Sequence, residues 1–116
     1  MLSAMVPLSF PKATEAEIQK SILEYLKLRG YLCWRNNSGM WRTPNKNHGE
    51  RVIRFGKVGS GDILGMKKNG TFFSVEVKAE GKNPTKEQSD FIEEVTKNFG
   101  LAFIARSVDD VIAKGL

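Results

Sequence analysis

The stretch from Gly59 to Lys78 constrains the fold more than any other. Gly59-Ser60-Gly61-Asp62 leads into a short apolar run, Ile63-Leu64-Gly65-Met66. Asn69-Gly70 then interrupts the chain before Thr71 to Val75 and Glu76-Val77-Lys78. Strand-forming residues on both sides of Asn-Gly predict a β-hairpin. Side chains alternate along a strand, so Phe72, Ser74, Glu76 and Lys78 share one face. Phe73, Val75 and Val77 share the other, which is the better candidate for the core.

Two registers are open. A two-residue Asn69-Gly70 turn pairs Lys68 with Thr71, sets Asp62 opposite Val77 and turns it away from Glu76. A three-residue loop with Gly70 left-handed pairs Lys67 with Thr71 and sets Asp62 opposite Glu76. The second register brings two carboxylates and an ammonium to one place, which suits metal-assisted phosphodiester cleavage. Asp62 and Glu76 offer hard oxygen ligands to Mg²⁺, an ion that usually keeps several waters. Such an ion polarises a phosphoryl oxygen and makes water a better nucleophile. Lys78 is placed to orient that water or to offset charge on the phosphate. Glu-x-Lys by itself is common and also describes a routine pair on a surface strand. The preceding Gly-x-x-Asp and the flanking helices distinguish this instance.

A chain of 116 residues predicts one domain with a modest core. The reading divides it into an N-terminal arm, 1–13, and a single domain, 14–116. Met1 to Lys12 is apolar but has no basic leading region and contains Pro7 and Pro11, so it reads as an arm and not a signal peptide. No apolar run approaches the ~18 residues of a membrane span. A net charge of +5 favours a polyanionic partner. The single cysteine, Cys33, excludes an internal disulfide, fits a reducing compartment and reads as a packing residue. With only His48 beside it, a zinc site lacks ligands.

Thr14-x-x-Glu17 is a capping-box pattern that opens a first helix, and Gly30 closes it. Ile18, Ile22, Tyr25 and Leu26 form its inward stripe. Glu15 and Gln19 flank that stripe as an i, i+4 pair. Glu15 is the better candidate to join a site, although an acid there also favours the helix dipole. Tyr31 to Asn36 reads as a strand with Tyr31, Leu32, Cys33 and Trp34 mostly buried. From Arg35 to Lys57 the chain is basic: Arg35, Arg42, Lys46, Arg51, Arg54 and Lys57 face a single acid, Glu50. Asn36, Asn37, Gly39, Pro44, Asn45, Asn47 and Gly49 give this segment loop chemistry. Arginine and lysine bind phosphates and an exposed Trp41 stacks on a base; a solvated loop around a packed tryptophan has the same composition. Arg51 to Phe55 alternates as a short strand would.

After Lys78 the run Ala79 to Pro84 is a turn, and Thr85-x-x-Gln88 caps a second helix. Phe91, Ile92, Val95 and Phe99 form its apolar stripe, and Gly100 terminates it. Gln88 lies on the inward side, where it either caps the helix or reaches the end of the Glu76 strand. Leu101 to Ala105 is a buried strand. Ser107 caps a last helix with Asp109 and Asp110 in its first turn and Val111 and Ile112 inward. A mixed sheet flanked by helices follows.

Together these pieces resemble the restriction-endonuclease-like superfamily of PD-(D/E)xK nucleases. Within it they are similar to the virus-type replication-repair nuclease family, VRR-NUC. The motifs that carry the resemblance are the acid or amide near the start of the first helix, Gly59-x-x-Asp62, Glu76-x-Lys78 and the downstream helix with Gln88. Each is weak alone; their order and spacing are more specific, and they cover about Thr14 to Val111. Gly61 stands before Asp62 where other superfamily members have proline, in keeping with the family's Gly-x-x-Asp form.

The resemblance implies an α/β fold with an α-β-β-β-α-β core and a Mg²⁺- or Mn²⁺-dependent deoxyribonuclease. Asp62, Glu76 and the Val77 carbonyl would be metal ligands, Lys78 the catalytic lysine, and Gln88 an assisting residue. Glu15 is the first choice for the first-helix position and Gln19 the second. The small size resembles stand-alone phage and bacterial members and, by further analogy, homodimeric Holliday-junction resolvases. That implies a homodimer acting on branched DNA in the cytoplasm of a bacterium or phage-infected cell, gripping the backbone through the basic loop. The competing expectation is a non-catalytic DNA-binding module or replication accessory factor on the same fold.

Overall fold

The computed structural model describes residues 11–44 and 49–116. Most of the expected arm and the expected DNA contact Lys46 lie outside the described residues. Helix α1 spans Glu15–Leu28. The Thr14 hydroxyl accepts the Glu17 N–H at 3.1 Å, and the Glu17 carboxylate accepts the Thr14 N–H at 3.2 Å. These satisfy amides that a helix start leaves free. Past the C-cap Arg29, Gly30 takes φ +86° and turns the chain out of the helix.

Four strands form the main sheet: β1 (Leu32–Arg35), β4 (Ile63–Met66), β5 (Phe72–Val77) and β6 (Leu101–Ala105), in the order β1-β4-β5-β6. The β4–β5 pairing sets Ile63 opposite Val75 and Met66 opposite Phe72. Lys67 N–H bonds the Thr71 carbonyl at 2.9 Å, and Gly70 has φ +88°. This is the three-residue loop, the register that places Asp62 across from Glu76. Strand β6 runs parallel to β5, so a crossover is required, and helix α2 (Lys86–Lys97) supplies it.

Phe73, Val75 and Val77 are buried together with Ile22 and Leu26 of α1 and with Val111 of helix α3 (Val108–Ala113). Gln88 of α2 instead reaches Glu76. Because neighbouring strand residues point oppositely, α1 and α3 cover one face of the sheet and α2 the other. The polar face is therefore closed as well: Ser74 and Glu76 are 2% and 5% exposed.

Three expectations about burial are corrected. On β1 only Cys33 is buried; Leu32 and Trp34 are exposed and Tyr31 is half-buried, because β1 is an edge strand whose alternate residues face outward. Ile112 is exposed, since the six-residue α3 turns only Val111 into the core. Phe99 is not part of the α2 stripe. It lies beyond the C-cap Asn98, is 93% exposed and has φ +65°. Gly100 cannot take a side chain, because a Cβ there would sit 2.6 Å from Val95 Cγ1 and 3.1 Å from the Phe72 carbonyl. The left-handed residue is thus Phe99 and not the glycine that follows it. An L side chain in that conformation costs about 1 kcal/mol, so Phe99→Gly is expected to raise stability by roughly that amount in urea denaturation.

The basic segment also departs from a loop. Strands β2 (Gly39–Thr43) and β3 (Arg51–Phe55) form a separate two-stranded antiparallel ribbon, with Trp41 opposite Ile53 and Arg42 opposite Val52. The β3 strand follows the alternation of Arg51 to Phe55; β2 was masked in the sequence by its turn-forming neighbours. One face of the ribbon carries Trp41, Thr43, Arg51, Ile53 and Phe55, and the other Met40, Arg42, Val52 and Arg54. All five β3 residues are exposed.

Candidate active site

Asp62 stands at the entry to β4, and its main chain is fixed from two sides. Gly61 passes so close to β5 that a Cβ would land on the Ser74 hydroxyl and lie 2.8 Å from the Val75 carbonyl. Its N–H donates to Ser74 Oγ at 3.1 Å. From the other side Asn36, just past β1, donates its N–H to the Asp62 carbonyl at 2.8 Å. The Asn36 side-chain amide donates to the Gly61 carbonyl at 2.9 Å and to Ser60 Oγ at 2.8 Å. The Asp62 carboxylate then accepts the Val77 N–H through Oδ2 at 2.7 Å. The reading of Asn36 as a strand end with turn chemistry does not anticipate this role. Its partners lie 24 and 25 residues away, and no local pattern announces them.

Glu76 projects from β5 on the same side as its register partner Asp62. Its Oε1 accepts from Gln88 Nε2 at 2.8 Å and lies 3.9 Å from Lys78 Nζ. Gln88 simultaneously accepts the Thr85 N–H at 2.9 Å through its own Oε1. The two roles open in the sequence are thus filled at once by the two ends of one amide. Burial pushes the Glu76 carboxyl up to about 8. The charge of Asp62 and a hydrogen bond with it push in the same direction, as does Glu15 more weakly, and Lys78 pulls the other way.

Gln88→Glu is a discriminating variant. Glutamate preserves the capping box but exchanges the donated hydrogen bond for a second carboxyl against Glu76. The expected loss is about 1–3 kcal/mol, measured by urea denaturation at pH 9, and less at pH 6, where a shared proton relieves the repulsion.

The remaining expected site residues are dispersed around this centre. Glu15 pairs with Lys82 at 3.5 Å and is close enough to Glu76 to act on its charge. Gln19 lines a cleft with Lys20 and Arg35. Trp41, Arg42, Arg51 and Arg54 are exposed on the ribbon, with Arg42 3.7 Å from Glu50. Lys57 lies in a groove against Glu87, Asp90 and Glu94 of α2.

Among the described residues no group of three or more His, Cys, Asp or Glu side chains forms a metal cage. The donor set is two carboxylates on adjacent strands, one of them hindered in ionising. That fits Mg²⁺, which binds through one or two carboxylates and fills its shell with water and substrate phosphate. A divalent cation would supply the charge that burial denies Glu76.

A mixed sheet with helices on both faces, and acids meeting at the β4–β5 hairpin, is the restriction-endonuclease-like architecture. A solved structure described as "VRR_NUC domain" shares this fold with a TM-score of 0.59, at 22% identity, over 87% of this chain and 94% of that one. No family model matches the sequence, and no curated protein matches it.

Proposed function

We propose that this chain is a Mg²⁺- or Mn²⁺-dependent DNA endonuclease. The observation that supports this best is the register of the β4–β5 hairpin, which sets Asp62 against Glu76 with Lys78 two residues on. Asp62, Glu76 and the Val77 carbonyl would hold the ion, with Glu15 beside them. When bound, the ion would polarise a phosphoryl oxygen and help generate the nucleophile from water. Lys78 would orient the attacking water and offset charge on the phosphate. Gln88, anchored to Thr85, would hold Glu76 in its rotamer. The Val77 N–H does the same for Asp62.

The DNA backbone would be gripped by the ribbon through Arg42, Arg51 and Arg54, by Arg35 and Lys57 beside it, and by Lys46. Trp41 would stack on an unpaired base. A two-stranded ribbon is marginal in isolation, and packing against a second copy would support it, so the reading includes a homodimer. Two sites held by such a dimer would select branched DNA by spacing, with little base reading, in a cytoplasmic compartment. The test is cutting of linear duplex, flap and four-way-junction DNA with Mg²⁺ or Mn²⁺. Junction cutting is expected to exceed linear cutting by about tenfold or more, as selection by paired sites requires. Equal rates on all three would remove the branched-DNA claim, and binding without cutting would favour a non-catalytic module.

A further inference from the structure

The cleft between α1 and the end of β1 lies outside the Asp62–Glu76 centre, and Arg35 on its wall is one of the proposed backbone contacts. It holds about 280 Å³ and is lined by Ala16, Gln19, Lys20, Leu23 and Arg35. Ala16 and Leu23 supply an apolar floor. Lys20 and Arg35 bring two positive charges, and among the described residues neither has a carboxylate within ion-pair distance. Gln19 adds an amide that can donate and accept. An apolar floor, two cations and one amide suit a ligand with a flat hydrophobic body, a hydrogen-bonding edge and an anionic end.

The cleft also adjoins the acids by two routes. Along α1, Gln19 is one turn from Glu15, whose charge is felt by Glu76. Along β1, Arg35 pairs with Ile63 and precedes Asn36, which holds the Asp62 carbonyl. We infer that this cleft is a nucleotide subsite, which takes one base and phosphate of the DNA strand adjacent to the phosphate held at Asp62 and Glu76. The inference rests on the nuclease reading for its role, but its occupancy can be measured apart from cleavage.

The experiment is an amide NMR titration of the full chain in EDTA, with 2′-deoxyadenosine 5′-monophosphate, deoxyadenosine and inorganic phosphate as separate probes. Without a divalent ion the acids repel phosphate, so the reading is confined to cationic surfaces. The monophosphate is expected to shift Gln19, Lys20, Leu23 and Arg35 with a dissociation constant of about a millimolar. Lys20→Ala with Arg35→Ala is expected to weaken it about tenfold or more. In cleavage the same double variant is expected to raise KM by a similar factor at unchanged kcat. Shifts centred elsewhere overturn the subsite. So does an equal response to inorganic phosphate, since the apolar floor would then contribute nothing. Nucleotide binding in the cleft of a chain that cuts no DNA would uphold the subsite and remove the nuclease reading.

Discussion

Asp62→Asn is expected to lower metal-dependent cleavage of four-way-junction DNA by about a thousandfold or more, with DNA affinity unchanged within about threefold. Asparagine keeps an oxygen for the Val77 N–H that Asp62 now accepts at 2.7 Å. The backbone anchors from Asn36 and Ser74 do not involve the side chain at all. The substitution therefore removes one negative charge from the pair and little else. Glu76→Gln has the same logic, because glutamine can still accept from Gln88. Lys78→Ala leaves both acids in place and removes the ammonium 3.9 Å from Glu76, so it should also abolish turnover while preserving metal binding. Arg54→Ala is the complementary control: it should weaken binding to every DNA sequence and flatten the salt dependence without a matching fall in the single-turnover rate. Single-turnover rates and fluorescence anisotropy separate the two effects. Wild-type cutting by Asp62→Asn would remove the carboxylate pair from the reaction.

How much of this site could be read beforehand is seen best in the hairpin. Asn69-Gly70 announced the turn but left two registers open. The apolar pattern contained the answer, because a two-residue turn would set buried Ile63 against Glu76, whereas the three-residue loop sets it against Val75. The capping boxes at Thr14 and Thr85 were legible because they are local and chemically specific. What sequence patterning missed has no core-facing periodicity. The β2 strand and the outward residues of β1 face solvent, so nothing in their hydropathy marks a strand or its inner side. Phe99 looked inward because helical periodicity was extended past the helix, which ends at Lys97 with Asn98 as its C-cap. Asn36 acts through partners that only tertiary folding brings near. The basic character of 35–57 pointed to a polyanion, but only the ribbon's pairing shows that Arg42 and Arg54 share one face while Arg51 shares the other with Trp41, Ile53 and Phe55.

The second large effect is a stability that falls as pH rises. The Glu76 carboxyl titrates at about 8 in the folded chain and near its ordinary 4.5 when unfolded. Below about pH 4.5 it carries its proton in both states. Between 4.5 and 8 the folded chain keeps a proton that the unfolded chain has released, so native stability declines with pH, and above 8 the full penalty applies. Allowing for screening by water and Lys78, the decline is on the order of 2–4 kcal/mol. In EDTA the wild-type chain should therefore melt several degrees lower at pH 9 than at pH 6, and Glu76→Gln should remove most of that difference. Burial raises the Cys33 thiol, a loss of stability felt only at the alkaline end of this window, and subtraction of the variant's curve removes it together with the other groups not coupled to Glu76. Mn²⁺ reverses the sign of the argument at the same residue. An ionised Glu76 is a penalty alone but a ligand beside a cation, so metal should stabilise the wild type more at pH 9 than at pH 6, the whole gain at pH 9 being about 2.7 kcal/mol at a hundredfold excess over its dissociation constant there. Glu76→Gln should lose most of that gain. A wild-type melting temperature that is flat from pH 6 to 9 in EDTA, or a Mn²⁺ effect that survives Glu76→Gln, would show that the charge balance at this hairpin is not what controls metal binding.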